Sequence, residues 1–512
     1  MSWREFHQLL PKAGTSVLQN IQAQAEQDWD NYGVYPSSLH VLEEAWLYII
    51  KEAAGKKLVI TGGAGLLDAF QGEFDHQLDK TKVCPLSAEN AVILRKKFPF
   101  TAPIPLGQFP TITIGLGDRL GLASPGHLKL LKQYPQVRPV LAQQSIRELN
   151  LTGRNYQQVL DAATWAVFQE DYRAGFGADG DHLKTDTEVQ MALDYGFTMI
   201  TLDCSEQIDN AVPDLSSSEL SARYRSLPAD IRQHYEQTYL NQEFTAGGLM
   251  IHFGEPELMQ TVLIYHRAIE HAVRIGREVI ADRRVDFELS IDETATPTTP
   301  QAHFLVAHEI KQAGVMINSL APRFCGEFQK GIDYRGDLAA FERDFKQHEA
   351  IATTFDYKLS VHSGSDKFKV FPIIGRFAAG KYHLKTAGTN WLEALRAVAG
   401  SEPQLFREIF AFALQHLSEA KQYYHISADP ARVPALDTLK DRELLDLLSR
   451  DDARQILHIT YGSILQALDR QGASLFKERL FSFLAEHEEQ YYQNLIRHIG
   501  KHLAELGIQP EN

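Results

Sequence analysis

The sequence predicts an α/β protein built as a (β/α)8 barrel of the TIM type, with helical extensions at its N-terminal and C-terminal ends. Three observations support this prediction: short β-branched runs that end in Gly, Asp, Ser or His, amphipathic segments between most of them, and helical patterns at both ends. Such alternation indicates right-handed crossovers and a parallel sheet. An open doubly wound sheet is the second candidate, because periodicity alone does not separate the two folds.

Eight or nine runs are typical of buried parallel strands. They are KLVITGG (57–63), TITIGLGD (111–118), VRPVLAQQS (137–145), AGFGADGDHLK (174–184), GFTMITLDCS (196–205), DFELSIDET (286–294), GVMINSLAPRF (314–324), YKLSVHSGSDKF (357–368) and KYHLKTAG (381–388).

The two ends of the chain show a different pattern. In LHVLEEAWLYIIKEAA (39–54) apolar positions are spaced by three and four, which predicts a helix, and the chain beyond residue 400 shows similar patterns. We therefore expect an N-terminal helical extension over 1–50, a catalytic barrel over 51–400 and a C-terminal helical extension over 401–512.

Composition excludes several functional classes. The 512 residues are 44% hydrophobic and 23% charged, as in a globular protein with a large core. A net charge of −15 and the brevity of the basic cluster 95–97 argue against a nucleic-acid partner. No apolar run reaches the roughly 18 residues of a membrane span and no secretory signal is evident, which predicts no membrane partner and a cytoplasmic location. The three cysteines lie far apart, so neither a disulfide framework nor a thiolate zinc site is indicated.

Polar side chains follow the apolar runs, where the active site of a parallel barrel forms. His182, Glu293 and His362 follow three different strands and are the nitrogen and oxygen ligands that a divalent cation needs. Asp292 or His303 would complete such a set. The alternative for each histidine is a strand-end residue that is bonded only to backbone.

A carboxylate beside a metal ion can move protons, and Asp181 and Glu293 are the adjacent candidates. Their alternative role is to cap the helices that follow. Further strand-end side chains, mainly cationic, would bind an anionic substrate. These are Lys184, Arg323, Asp366, Lys367 and Lys385, with Arg147 as an additional cation.

The same segments carry long and unusual motifs. They include GLGDRLGLASPGH, AQQSIRE, DAATWAVFQEDYRAGFGADGDHLK, SIDETATPTTP, GIDYRGDLAAFERDFKQHEAIA, HSGSDKF, HLKTAGT, YYHISADP and HITYGSIL, and they extend from about residue 111 to 465. In these motifs the sequence resembles the tagaturonate epimerases of bacterial hexuronate breakdown.

The resemblance implies a barrel isomerase that interconverts D-tagaturonate and D-fructuronate and uses a divalent metal ion, with zinc, manganese, nickel, cobalt and iron all open. It implies Asp181 as proton acceptor beside the ligand His182, Glu293 as proton donor, and His362 on the metal. Glu148 is a further acid/base candidate. The third ligand stays open among three residues, His303, Asp292 and Asn318. The implied partner is a small hexuronate, and the oligomeric state is open.

Chemistry constrains the implied reaction. The two keto-acids differ at a carbon that is β to the ketone, so simple enolisation does not acidify its C–H bond. Retro-aldol cleavage with rotation and re-closure would invert that carbon, as would transient oxidation, but the sequence shows no nicotinamide site. Two alternatives to the epimerase are a metal-dependent aldolase or other sugar-acid isomerase, and a non-catalytic sugar-binding or regulatory protein.

Overall fold

The computed structural model describes residues 2–8, 10, 32–52, 55–107, 112–378 and 380–511, and its strands lie between residues 40 and 385. In chain order they are β1 (His40–Leu42), β2 (Ala45–Glu52), β3 (Gly55–Gly62), β4 (Glu73–Phe74), β5 (Thr81–Pro85), β6 (Ile112–Gly115), β7 (Val137–Ser145), β8 (Gly177–Leu183), β9 (Met199–Asp203), β10 (Glu243–Ala246), β11 (Leu249–His252), β12 (Asp286–Ile291), β13 (Ser319–Pro322), β14 (Lys358–Val361) and β15 (Tyr382–Lys385).

Eight of these strands close into a parallel barrel in the order β6, β7, β8, β9, β12, β13, β14, β15. The barrel closes where β15 pairs with β6, Leu384 opposite Ile114. Each barrel strand lies within one of the predicted runs. Thr111, the first residue of the run 111–118, lies outside the described residues. The predicted (β/α)8 architecture is confirmed, and the open sheet is wrong.

Helices cover the barrel and extend beyond it. Those up to the last barrel strand are Trp3–His7, Ala64–Ala69, Ala88–Lys97, Ser124–Leu131, Ile146–Thr152, Tyr156–Glu170, Asp186–Asp194, Ser217–Arg225, Ala229–Tyr239, Glu255–Ile275, Pro300–Gln312, Leu338–Phe355 and Phe371–Phe377. Those after it are Thr389–Ser401, Pro403–Gln415, Leu417–Ala420, Leu444–Leu447, Asp451–Ile459, Tyr461–Leu465, Lys477–Glu486 and Glu488–Glu505.

A separate antiparallel sheet precedes the barrel, in the order β1-β2-β3-β5-β4. The helix predicted over 39–54 is therefore wrong, because this segment forms β1 and β2. The run KLVITGG belongs to β3 of this sheet, so β8 is the third barrel strand. Residues 11–31 of the predicted N-terminal helical extension lie outside the described residues.

The longest excursion from the barrel lies between β9 and β12. It contains the helices Ser217–Arg225 and Ala229–Tyr239, the β10–β11 hairpin and the helix Glu255–Ile275. Two of its aromatic residues, Tyr239 and Phe253, lie in the main hydrophobic core beside the barrel.

The C-terminal segment is helical, as the sequence predicts. Its apolar faces pack with the helix Thr389–Ser401 into a second core that includes Trp391, Phe406 and Tyr461. The last long helix, Glu488–Glu505, packs against the barrel helix Ser124–Leu131. None of the helices that the structure describes has the length and apolarity required to span a bilayer.

Candidate active site

A cavity of about 380 Å³ lies at the carboxyl ends of the barrel strands. Three regions form most of its wall: the strand ends, the loop that follows β13, and the C-terminal helical segment. From the strand ends come Gln143, Asp181, His182, Asp292, Glu293, His362 and Lys385; from the loop Arg323, Gln329 and Lys330; and from the C-terminal segment Tyr424, His425 and His458.

A charged layer fills the barrel beneath this cavity. The Lys385 ammonium lies 2.6 Å from Asp181 Oδ1, 3.0 Å from Asp179 Oδ2 and 2.9 Å from Glu288 Oε1. It also donates a 2.6 Å hydrogen bond to the Thr201 hydroxyl. Three carboxylates thus share one buried ammonium, which orients them and leaves an excess of negative charge.

Two histidines and Asp292 lie next to this layer. The ligand atoms of His182, Asp292 and His362 all lie within 4.8 Å of one another. His182 Nδ1 is 2.8 Å from Asp181 Oδ1 and His362 Nε2 is 2.8 Å from Glu288 Oε1, so a carboxylate orients each ring. The second ring nitrogen of His362, Nδ1, lies 3.2 Å from Asp292 Oδ1.

The pKa values reflect this crowding. Burial lowers the pKa of His182, but the Asp181 carboxylate outweighs burial and raises it to about 10. Burial likewise opposes charge on Lys385, yet Asp179, Asp181 and Glu288 hold its pKa well above the ordinary value. Burial raises the pKa of Asp179 to about 6 despite the neighbouring ammonium. Each of these three groups is therefore a weaker acid than usual, and perturbed pKa values of this kind are common where protons are moved.

Local backbone geometry places His182 in the site. The pairing of β8 with β9 shifts register between Gly180 and Leu183, and His182 has a φ of +54°. A bulge of this kind re-aims one side chain at the end of a strand. A positive φ is unfavourable for a residue other than glycine, and such positions are common at functional sites.

The two remaining predicted acid/base residues both line the cavity but differ in their partners. Glu148 is buried and accepts hydrogen bonds from Arg119 Nε at 3.0 Å and Nη2 at 2.9 Å. The exposed Glu293 has no hydrogen-bond or ion-pair partner among the described residues. Glu293 is thus the carboxylate that is free to act on a ligand, whereas Glu148 orients an arginine.

The structure does not place His303 with His182 and His362. His303 lies fully buried on the helix Pro300–Gln312, and its ring nitrogens contact His348 Nδ1 at 2.8 Å and the Tyr357 hydroxyl at 2.6 Å. It does not line the cavity. Asn318, the other residue considered as a ligand, bonds the Phe287 amide at the opposite end of the barrel strands. Asp292 alone of the three alternatives joins the histidines.

Three of the predicted substrate contacts have other partners. Lys184 pairs with Asp203 and Glu206 outside the cavity. Asp366 is buried against Arg454 at 2.7 Å and lines a second cavity instead. Lys367 lines the main cavity, but its ammonium donates to three backbone carbonyls and has no N–H left for a ligand. Arg323 and Lys385 are at the cavity, as expected.

Sequence reasoning gives no role to several residues of the site. Asp179 and Glu288 lie inside strands, and the available signal was a carboxylate at a mid-strand position of an apolar run. Lys330 lies in an irregular loop, and no local pattern distinguishes it from other loop lysines.

Fold and cavity define a (β/α)8 barrel enzyme whose site is lined largely by charged and polar side chains. Comparison with known proteins gives the family. A model of the tagaturonate epimerase family matches residues 35–506. The tagaturonate/fructuronate epimerase of Thermotoga maritima is 40% identical over 477 residues, which are 92% of this chain and 96% of that protein.

Solved structures agree with this result. Crystal structures of the fructuronate-tagaturonate epimerase of Cohnella laeviribosi, native and complexed with one glycerol, share 50% sequence identity with the chain and match it with a TM-score of 0.91. The match with the glycerol complex covers 96% of this chain and 100% of the Cohnella chain. The match with the native structure covers 95% of this chain and 99% of the Cohnella chain. The chain belongs to the tagaturonate epimerase family, and it is an enzyme of the isomerase class. The resemblance is confirmed, and a non-catalytic binding protein is excluded.

Proposed function

We propose that this enzyme interconverts D-tagaturonate and D-fructuronate and requires a divalent metal ion. The printed activities of the relatives from Thermotoga maritima and Cohnella laeviribosi support the substrate pair. The observation that carries the proposal is the convergence of His182, Asp292 and His362 beside the unpartnered Glu293. A role in cytoplasmic hexuronate breakdown is part of the same proposal.

The residues present fit a divalent ion. Two imidazoles and one carboxylate suit zinc, manganese, nickel, cobalt or iron. Each imidazole bonds a carboxylate through its other nitrogen, Asp181 or Glu288, which is the usual support of a metal-binding histidine. His362 Nδ1 is buried, and it faces the Asp292 carboxylate at 3.2 Å.

Charge also favours this proposal. Beside the carboxylates the pKa values of both His182 and His362 are raised, so both rings bind a proton more tightly than a free imidazole does. Exchange of these two protons for one divalent cation leaves the total charge of the site unchanged. When bound, such an ion would act as a Lewis acid toward the oxygens of a keto-acid.

The reaction assigns tasks to the protein side chains. Retro-aldol cleavage removes the proton of the hydroxyl β to the ketone, breaks the bond between the α and β carbons, and leaves an aldehyde and an enediolate. After the aldehyde turns its other face, the same bond re-forms and the new alkoxide takes the proton back, so the sequence is balanced without an oxidant. Glu293 and Asp181 come from different strands, and we assign to them the removal and return of this proton.

Incubation of the metal-stripped and metal-restored enzyme with D-tagaturonate in deuterated water tests the proposal. We expect D-fructuronate only with metal, and no deuterium at the inverted carbon, because its C–H bond is never broken. Deuterium at that carbon would contradict the retro-aldol route. Release of two cleavage products would indicate an aldolase, and absence of conversion under both conditions would refute the proposed activity.

The Glu293→Gln variant tests the acid/base role. We expect kcat to fall about 10²- to 10⁴-fold, since the amide cannot accept or return the proton. Bound metal and melting temperature should be unchanged, because Glu293 is exposed and has no partner among the described residues. Glu206→Gln, an exposed residue outside the cavity, is the matched control. A Glu293→Gln variant with full activity would remove Glu293 from the mechanism.

A further inference from the structure

Lys330 is a cavity lysine whose ammonium has no counter-ion within the described part of the chain. It is half-buried in the loop between β13 and the helix Leu338–Phe355, and it lines the active-site cavity. The structure shows no hydrogen bond or ion pair of its ammonium with any described residue. The ammonium of Lys385, in contrast, contacts three carboxylates.

The backbone around Lys330 is held at four consecutive carbonyls. Lys367 donates to the carbonyls of Gln329 at 2.9 Å and Ile332 at 2.6 Å. Gln455 donates to the Lys330 carbonyl at 3.2 Å, and Arg454 donates to the Gly331 carbonyl at 2.8 Å. A backbone fixed in this way positions the lysine before a ligand arrives, which lowers the entropy cost of binding.

A second cation lies near Lys330. Arg147 also lines the cavity, and its guanidinium lies 4.9 Å from the centre of the Tyr424 ring. Its one hydrogen bond to a described residue is a long one, 3.5 Å, to the Tyr423 carbonyl. Burial and then the Arg147 charge lower the pKa of Lys330. Two neighbouring cations repel one another, and an anion placed between them removes this cost.

We propose that Lys330 and Arg147 form the subsite for the substrate carboxylate. This inference rests on the proposed function, because it takes the ligand to be a keto-sugar acid whose ketone and carboxylate lie at opposite ends of the molecule. The ketone end would lie at His182, His362 and Lys385, and the carboxylate end at the half-buried Lys330 and the exposed Arg147. A charge-assisted hydrogen bond at this position would select sugar acids over neutral ketoses.

Lys330→Met removes the charge but keeps the length of the side chain. For D-tagaturonate we expect KM to rise about 10- to 100-fold, as for the loss of a hydrogen bond between charged groups. The kcat value should change less than KM does, because no bond of the carboxylate group breaks or forms in the reaction. Lys330→Arg should recover most of the affinity.

An unreactive ligand pair separates binding from turnover. Calorimetry with D-gluconate should show the same loss of affinity in Lys330→Met, whereas D-glucitol, which lacks the carboxylate, should bind both proteins equally. Arg147→Gln should weaken gluconate binding too, and the double variant should lose less than the sum of the two single losses, since both cations hold one group.

The outcomes distinguish this inference from the proposed function. Unchanged KM and unchanged gluconate affinity in Lys330→Met, with an active parent enzyme, would overturn the carboxylate subsite and leave the epimerase activity intact. An inactive parent enzyme would refute the activity, while loss of gluconate binding would still support the subsite. If Lys330→Met does not fold, Lys330→Arg and Arg147→Gln decide the question through the same gluconate titration.

Discussion

Histidines of similar burial have different roles in this protein, and their partners decide which. His362 and His303 have 7% and 0% of their surface exposed. The His362 ring lies between two carboxylates, Glu288 and Asp292. His303 instead contacts an imidazole and a phenol. Only the first environment can balance the charge of a metal ion.

Metal analysis of two matched variants tests this difference. We expect His362→Asn to bind the divalent ion at least about 100-fold more weakly, since a direct ligand contributes more than the supporting contacts whose loss costs 10- to 100-fold. His303→Asn should retain metal but lose about 1–3 kcal/mol of stability, because it disrupts buried hydrogen bonds. Elemental analysis and thermal unfolding measure both quantities. Loss of metal from His303→Asn alone would reverse the assignment.

The sequence predicts residues at strand ends better than residues inside strands or loops. Asp181, His182, Glu293 and His362 all lie at the cavity because parallel strands end at one face. Glu288 lies inside β12, where alternation turns it into the barrel, so its role depends on closure of the barrel. Convergence of ligands from distant segments cannot be determined from their spacing along the chain.

At the scale of elements, the buried barrel strands are predicted well because β-branched residues mark them. The N-terminal hairpin is not predicted from the sequence. Its turn consists of Glu43 and Glu44, which have φ values of +48° and +62°. Hairpins with this geometry usually have Asn or Gly in the turn, so two glutamates give no turn signal. The spacing of the apolar residues on either side consequently predicts one face of a helix.

One lysine joins two loops of the site. The Lys367 ammonium, on the loop after β14, donates to the carbonyls of Gln329, Ile332 and Ser365. We expect Lys367→Met to lower stability by about 2–4 kcal/mol, because buried carbonyls lose their donor. Its KM for D-tagaturonate should also rise, since the Lys330 loop loses two of its anchors.

Lys369→Met is the control for this variant. Lys369 is two residues away and exposed, and its ammonium makes one long contact of 3.4 Å to the Tyr334 carbonyl. Thermal unfolding and steady-state kinetics compare the two proteins. Equal melting temperatures and equal KM values for both variants would show that Lys367 does not hold the loops.

At the scale of the whole molecule, the C-terminal helical segment is part of the catalytic unit. It supplies Tyr424 and His458 to the cavity wall, and Arg454 and Gln455 to the Lys330 loop. The sequence predicts this segment as an extension, because helical periodicity shows which face is buried but not what it packs against. The cavity of this family member thus depends on residues from about 119 to 458.

Buried neutral histidines predict how the stability of the whole chain depends on pH. His127 has no exposed surface, its Nε2 lies 3.1 Å from Asn390 Oδ1, and Asp118 and His498 are the nearest charges that act on it. Burial lowers its pKa to about 4. Below pH 6.5 the unfolded chain binds a proton here that the native state does not, so stability falls as the pH falls from 6.5 toward 4.

Between pH 7.5 and 5.5 this one histidine should therefore cost about 1 kcal/mol of stability. His127→Gln, which keeps a donor for Asn390 but cannot titrate, should lose less stability than the parent protein over the same interval. Denaturant unfolding of both metal-free proteins at the two pH values measures the difference, and the contribution of all other groups cancels in it. The prediction concerns the change in the free energy of unfolding between the two pH values, so a general destabilisation by the substitution does not affect it. An equal change in both proteins would show that His127 takes up its proton in the folded protein as it does in the unfolded chain.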